Sequence, residues 1–506
     1  MSNLKVRAAR GGIYMAVATF AMRPVSMVLA IVLARLLVPE DFGLLALSMI
    51  IVNAANYFTD LGMRGVVVQT REDVNKVAYY AFVIVMATSI SFTLLVVLLA
   101  GPLTNLLNGG PELIPIIRWM ALYVTLDGMW IIPEAVLRRE LKFKQLSLVQ
   151  IPSELAATIL AIPLALSGFG VWSLVAGNLL GQVTRILLLW GLCRPWIWLR
   201  PHKWDRRIVR GMFDYGIPSM TSGITKYFQN QIDTFIVGRQ LGAAAVGIYS
   251  KAFALTTRMT NMLTAAVFGS VLFSSYAKIQ DEKPRLARAY LLSNRMVTLI
   301  VMPVSVGSAI TAPLLVPLLL GPQWTAMIPL WQIFSLYGLT RPISTNSAPL
   351  FSAIGQPRRN LTASLVLLAV MIPTLLLLIG PYGTVGAAVA VSLASTVAMF
   401  FNVFQVNQIL PGTAWKTLTQ SLPFIAAGGI MAAAILLVQD WIFTLAGGEN
   451  LLALVLIVIV AALVYLGVVL VIQRPLVLEL YELGIKALGL DRRWPRLIPA
   501  RLRASK

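Results

Sequence analysis

The chain has 506 residues, 58% of them hydrophobic and only 12% charged, with a mean hydropathy of +0.81. A soluble chain carries roughly twice that share of charge, so a water-soluble globular fold is excluded. The net charge of +21 is spread over short connections rather than gathered on one face, which argues against a nucleic-acid partner and for charges that orient a membrane protein.

Alternating apolar and polar ten-residue stretches, the mark of an outer-membrane barrel, are absent. Instead, apolar stretches of 18 or more residues recur, each long enough to cross about 30 Å of hydrocarbon as a helix. The basic start, MSNLKVRAARGG, runs into the first of them without a small-residue cleavage site, so the reading is an uncleaved span. Fourteen spans are expected, at 12–35, 42–64, 77–100, 113–137, 145–166, 170–192, 212–238, 247–276, 293–319, 326–353, 361–380, 383–408, 417–438 and 451–473. Alternate connections and the two ends hold thirty-two of the Lys and Arg residues, whereas the opposite connections hold only Arg35 and Arg239. That asymmetry places both termini in the cytoplasm and supports an even number of spans.

The chain repeats weakly. At an offset of 204, Gly12, Ile13, Arg35, Leu37 and Gly43 match Gly216, Ile217, Arg239, Leu241 and Gly247. R-x-L-x5-G thus closes the first span and opens the second in each half. A second echo relates Gly170, before the sixth span, to Gly383, before the twelfth. Two six-span halves in one orientation are parallel repeats, an arrangement in which transporters place a central site between halves. The expected organisation is an all-α polytopic membrane protein. It has an N-terminal six-helix lobe (1–192), a basic cytoplasmic linker (193–211), a C-terminal six-helix lobe (212–410), an extra helix pair (411–475) and a cytoplasmic tail (476–506). Trp196, Trp198 and Trp204 in the linker read as interfacial anchors. Residues 476–489 read as a short amphipathic surface helix, followed by a basic segment suited to anionic lipid or to orientation alone.

Charges inside spans are costly and mark functional candidates. With 1.5 Å of rise per residue, Arg23 lies about 18 Å below the outer surface, Lys226 about 20 Å, Arg258 about 17 Å, Arg185 about 22 Å and Arg341 about 23 Å. Asp127 and Glu154 share that layer, and Asp233 lies higher. On the seventh span Ser219, Ser222, Lys226, Asn230 and Asp233 are spaced 3, 4, 4 and 3, one polar helix face. Lys251, Arg258 and Asn261 answer it on the eighth, and equal depth predicts an Asp233–Lys251 pair. Structural ion pairs between helices are an alternative for any one residue. For the set they explain less, because seven cations, with Arg118 among them, face only Asp127, Glu154 and Asp233. A surplus of guanidinium and ammonium groups suits an anionic ligand, phosphate above all.

Covalent chemistry has no visible apparatus. There is no G-x4-G-K-[ST] loop, no HExxH and no CxxC, so no metal or cofactor is expected. The lone Cys193 and lone His202 preclude an intrachain disulfide or a Cys/His metal cluster. Glu40 and Asp41, the adjacent external acids, sit in PEDFG, where a capping or turn role is expected.

RLLVPEDFGLLAL after the first span, FTDLGMRGVVVQ at 58–69, LRRELKFKQLSL at 137–148, VLFSSYAKIQDEKPRL at 271–286 and GPQW at 321–324 occur in an order that resembles one group of transporters. That group is the polysaccharide transporter branch of the multidrug/oligosaccharidyl-lipid/polysaccharide exporter superfamily, with the strongest likeness to Wzx-type flippases of the colanic-acid exporter group. The likeness covers about residues 10–410. It implies two six-helix lobes around a central cavity that opens alternately to each side. It implies a substrate of undecaprenyl pyrophosphate bearing an oligosaccharide, a cationic cavity for the pyrophosphate and drive by an ion gradient, Na+ or H+. The polysaccharide polymerase and chain-length proteins are the expected partners. Depth and charge, rather than the resemblance, nominate Arg23, Arg185, Lys226, Asn230, Arg258 and Arg341 for substrate, and Asp127, Glu154, Asp233 and Lys251 for ion coupling or structure. A multidrug/cation antiporter of the same superfamily would want an acidic or aromatic cavity. A polysaccharide polymerase would want a long external loop.

Overall fold

A computed structural model describes residues 25–268 and 271–474 of the chain. Every regular element among the described residues is helical. Arg23, the amphipathic helix expected over 476–489 and the basic tail lie outside them.

The chain enters as an apolar helix, α1 (Val25–Leu36), and turns at Val38 into α2 (Pro39–Asp60). The turn is closed by the expected cap: the Asp41 carboxylate accepts the Val38 N–H at 3.1 Å. The second span ends earlier than expected. Leu61 and Gly62 adopt left-handed backbone after Asp60, and α3 (Met63–Gln69) follows as a separate short helix. Next come α4 (Val74–Leu98), α5 (Ala100–Leu107), α6 (Leu113–Arg139), α7 (Phe143–Leu166) and α8 (Val171–Cys193). Beyond the linker lie α9 (Arg206–Phe268), α10 (Val271–Lys278), α11 (Lys283–Leu320), α12 (Ile328–Tyr337), α13 (Arg341–Ala353), α14 (Arg358–Ile409), α15 (Thr413–Ala446) and α16 (Leu451–Ile472).

Nine of the described helices are long and apolar enough to cross a membrane. The remaining spans are legible once three elements are split or joined. α14, one of the nine, is two spans in line, broken at Gly383. α9, 63 residues long, is likewise two, broken at Gly242. α12 and α13 are one interrupted span, parted around Gly338 and restarted by Pro342 at the head of α13. α1 covers the described part of the first expected span, and the other described helices fall at the remaining thirteen expected positions.

The described residues form two compact units. The first comprises Met1–Leu255, Leu319–Leu330 and Leu367–Ala394. Its axis is α6, which packs on α2, α3, α4, α5, α7 and α8 and has 72% of its apolar window buried. Tyr80, Trp130, Ile132 and Val136 lie in its core. Trp198 of the linker also packs there, 2% exposed and 5.6 Å from the Phe82 ring. Of the three linker tryptophans, only Trp196 and Trp204 are exposed as anchors must be. Cys193 is buried and accepts the Trp198 indole N–H at 3.4 Å.

The internal repeat has a geometric counterpart inside this unit. Arg35 donates to the Leu319 carbonyl at 2.8 Å, and its match Arg239 donates to the Leu106 carbonyl at 3.0 Å. Leu319 and Leu106 lie in the last turns of α11 and α5, where carbonyls lack helical partners. Gly170 and Gly383 share one backbone conformation, φ 51° and ψ −132° against φ 56° and ψ −136°, a positive-φ region that L side chains avoid.

The second unit comprises Thr256–Leu318, Trp331–Val366 and Ser395–Lys506. α15 and α16 pack on each other and on α11 through Met302, Phe424, Met431, Ile457 and Tyr465. The Tyr465 hydroxyl donates to the Leu299 carbonyl at 3.0 Å. A second core joins Tyr276, Leu286, Tyr290, Phe351 and Val406. Only 17% of the apolar window of α16 is buried, so most of its Leu and Val side chains face the lipid, which does not penalise them.

Candidate functional site

In the first unit four helices place charge around one indole. On α6, Asp127, Trp130 and Glu134 are spaced 3 and 4 and share a face. Gln182 and Arg185 of α8 meet that face, and Asp60 and Arg64 reach it from the break between α2 and α3. The Arg185 guanidinium carbon lies 3.4 Å from the Trp130 ring centroid, and that of Arg64 lies 5.2 Å from it, both within cation–π range. Glu134, 3% exposed, takes Arg185 at 3.2 Å on one oxygen and the Nε of Arg138 at 2.6 Å on the other. The Arg64 N–H donates to Asp60 at 3.2 Å. Asp127 is buried and accepts from Gln182 Nε2 at 3.4 Å. It has no ion pair among the described residues, and Arg64 and Arg185 are its nearest cationic influences. Three carboxylates therefore face three guanidiniums. The cluster is close to neutral, and Arg185 is already engaged rather than free for an incoming anion. The spacing 127–130–134 carries the signal for Trp130. No periodicity points to Arg64 or Gln182, whose place depends on how α3 and α8 pack on α6.

The polar face of α9 divides. Tyr227 is buried, donates its hydroxyl to the Ile50 carbonyl and packs its ring, tilted, 5.2 Å from that of Tyr57, which fastens α9 to α2. Ser222, Lys226 and Asn230 are exposed. Lys226 makes no hydrogen bond or ion pair among the described residues. Asp233, by contrast, is buried. It accepts the Tyr249 hydroxyl at 2.8 Å and the Thr234 N–H at 2.7 Å.

The expected Asp233–Lys251 pair is not formed. Tyr249 and Lys251 are two residues apart, so they leave the helix in different directions. Tyr249 takes the carboxylate, and the Lys251 ammonium lies 3.7 Å from the Phe42 ring centroid. Glu154 is exposed and accepts from Gln150 at 3.0 Å and from the Ser26 hydroxyl at 3.0 Å, joining α7 to α1. In the second unit Arg258 is exposed, with no ion pair among the described residues. Arg341 opens α13, and its side chain lies outside the description. Among the described residues no cluster of His, Cys, Asp or Glu could hold a metal ion.

Membrane-length helices in two units, repeated halves and buried intramembrane charge define a polytopic membrane protein of transporter type. Residues 32–329 match the family described as polysaccharide biosynthesis protein, more than half of the chain. The chain belongs to that family. It is 26% identical to the succinoglycan biosynthesis transport protein ExoT of Rhizobium meliloti (strain 1021), over 64% of this chain and 65% of that one. It is 25% identical to the lipopolysaccharide biosynthesis protein WzxC of Escherichia coli (strain K12), over 69% of this chain and 71% of that one. Its fold is similar to that of the lipid II flippase MurJ in an inward closed conformation, with TM-score 0.72 and 15% identity over 92% of this chain and all of that one. It is also similar to an inward-facing multidrug resistance MATE family transporter, with TM-score 0.60 and 15% identity over 78% of this chain and 95% of that one.

Proposed function

We propose that the chain moves a polyprenyl-pyrophosphate-linked oligosaccharide from the cytoplasmic to the periplasmic leaflet of the inner membrane, by alternating access, for a surface polysaccharide. The reading rests on family membership, on relatives named for polysaccharide transport and biosynthesis, and above all on Lys226. An ammonium group exposed on a membrane-spanning helix, beside Asn230 and without an acidic partner among the described residues, is expensive unless it faces water or an anion. Arg258 is a second exposed cation of this kind. With Arg23 and Arg341 they form the set we assign to the pyrophosphate, whereas Arg185 belongs to the neutral cluster around Trp130. Drive by Na+ or H+ and cooperation with a polymerase and chain-length proteins complete the proposal.

The test is surface polysaccharide in a deletion strain complemented by each variant at matched protein level. Lys226→Ala and Arg258→Ala should abolish export and leave the lipid-linked intermediate accumulated. Lys226→Arg should retain export. Arg258→Lys should lose it, because Lys offers a point charge where a guanidinium grips two oxygens. Wild-type polysaccharide from both alanine variants would sink the reading.

A further inference from the structure

A second cationic feature lies in the second unit and shares no residue with the set assigned to transport. The first turns of α11 and the turn that enters α15 enclose a cleft of about 430 Å³, within the range of pockets that bind small ligands. Lys283 and Arg288 come from α11 and Lys416 from α15. All three are exposed, and none has an ion pair among the described residues. No acid lines the cleft, and the neighbouring Glu282 is held by Arg285 at 3.3 Å. Most of the remaining wall is apolar, with Leu291, Leu410 and Pro411.

The cleft is built rather than incidental. Leu410 is 2% exposed in the core with Leu286 and Tyr290. Asn407 Oδ1 accepts the N–H groups of Gly412 at 3.0 Å and Ala414 at 3.2 Å, which fixes the turn. Two helix N-termini begin at its rim, and their dipoles add positive potential to the three side chains. The cleft also sits at the border between polar and apolar chain. Trp415 is 74% exposed beside Lys416, as at a membrane interface, and the apolar runs of α11 and α15 start just beyond.

We propose that this cleft binds the headgroup of an anionic phospholipid from the leaflet on the side of the basic connections. The cations take the phosphate, and the acyl chains run down past Leu291 and Leu410. Free phosphate has no use for the apolar wall, which is why the lipid is the source favoured here. A basic residue near an anionic headgroup contributes about fivefold in affinity, so three together contribute about a hundredfold.

The test uses the full chain purified in detergent, with its thermal midpoint followed during titration with three probes: cardiolipin, phosphatidylcholine and inorganic pyrophosphate. Cardiolipin should raise the midpoint of the wild-type chain. The variant Lys283→Gln/Arg288→Gln/Lys416→Gln should need about a hundred times more cardiolipin for the same rise. These side chains are exposed and lack ion-pair partners among the described residues, so its lipid-free midpoint should match wild type. Arg206→Gln/Arg207→Gln/Arg210→Gln, an equal loss of charge on the linker side, should respond as wild type. An unchanged cardiolipin response in the first variant overturns the proposal. So does an equal loss in the second, an equal response to phosphatidylcholine, or a pyrophosphate response that the first variant abolishes.

Discussion

Gly43 and Gly247 lie against one another, each where the other helix's backbone passes. A Cβ on Gly43 would stand 1.7 Å from the Ala243 carbonyl oxygen, and one on Gly247 would stand 1.8 Å from the Pro39 carbonyl oxygen. The contact is reciprocal in the offset of 204 itself: Pro39 corresponds to Ala243 as Gly43 corresponds to Gly247. The repeated glycine therefore marks the point where the second span of each half crosses its counterpart, with no room for a methyl group.

Gly43→Ala or Gly247→Ala should accordingly destabilise the protein by about 3 kcal/mol or more, since overpacking against backbone cannot be relieved by a rotamer change. Gly429→Ala and Gly467→Ala, whose new methyl groups meet nothing within 4 Å, serve as controls and should be neutral or slightly stabilising. Thermal midpoints in detergent distinguish the two pairs. Equal midpoints for all four would mean that the crossing is looser than its geometry.

The repeated arginines do a different job from those of the charged cluster around Trp130. Arg35 and Arg239 each bind a carbonyl in the last turn of a helix, where a cation also meets the negative end of the dipole. Arg35→Ala and Arg239→Ala should each cost about 1 to 2 kcal/mol of stability. The lysine variants should recover part of that loss. Export per folded molecule should not change, which complementation at matched protein level would measure. A loss of export at unchanged thermal midpoint would instead place these arginines in transport.

Periodicity and charge were sufficient for the spans, because a helix of apolar residues needs no tertiary partner to be recognised and loop Lys and Arg report the connections. They were insufficient wherever an answer depended on side-chain direction across helices. Asp233 and Lys251 share a depth, yet depth leaves rotation undetermined, and Tyr249 stands nearer the carboxylate. Arg185 reads as a free cation because Glu134 is 51 residues away in the chain and joined to it only by packing of α8 on α6. Lys226 was readable because the spacing of Ser222, Lys226 and Asn230 sets three polar residues along one helix face, and all three are exposed.

Glu134 is the centre of the neutral cluster, and its removal should be worse than the removal of the pair. Glu134→Gln leaves Arg185 and Arg138 without their carboxylate and should cost about 3 kcal/mol. Glu134→Gln combined with Arg185→Gln should regain part of the loss, because the second change removes the stranded charge. A double-mutant cycle on the thermal midpoint reads the coupling directly, and strictly additive losses would mean that the 3.2 Å contact contributes nothing.

In the ion-coupled mechanism proposed above, Asp127 is the candidate coupling acid. It is buried beside Arg64 and Arg185, but unlike Glu134 it has no ion pair among the described residues, so its charge is not committed to holding helices together. Asp127→Asn keeps a carbonyl oxygen for the Gln182 amide and removes only the negative charge. That swap should cost no more than about 1 kcal/mol in stability. It also tips the cluster to a net positive charge, which opposes the entry of Na+ or H+ at this point. Export should therefore fall sharply at normal membrane level, and Asp127→Glu should keep a measurable share of it. The informative experiment compares surface polysaccharide before and after the Na+ or the H+ gradient is collapsed with an ionophore. Wild-type export should drop on collapse of the coupling ion's gradient, whereas residual export by Asp127→Asn should not respond. If the asparagine variant exports at the wild-type rate and remains sensitive to the same ionophore, coupling resides elsewhere and Asp127 serves only the packing of α6 on α8.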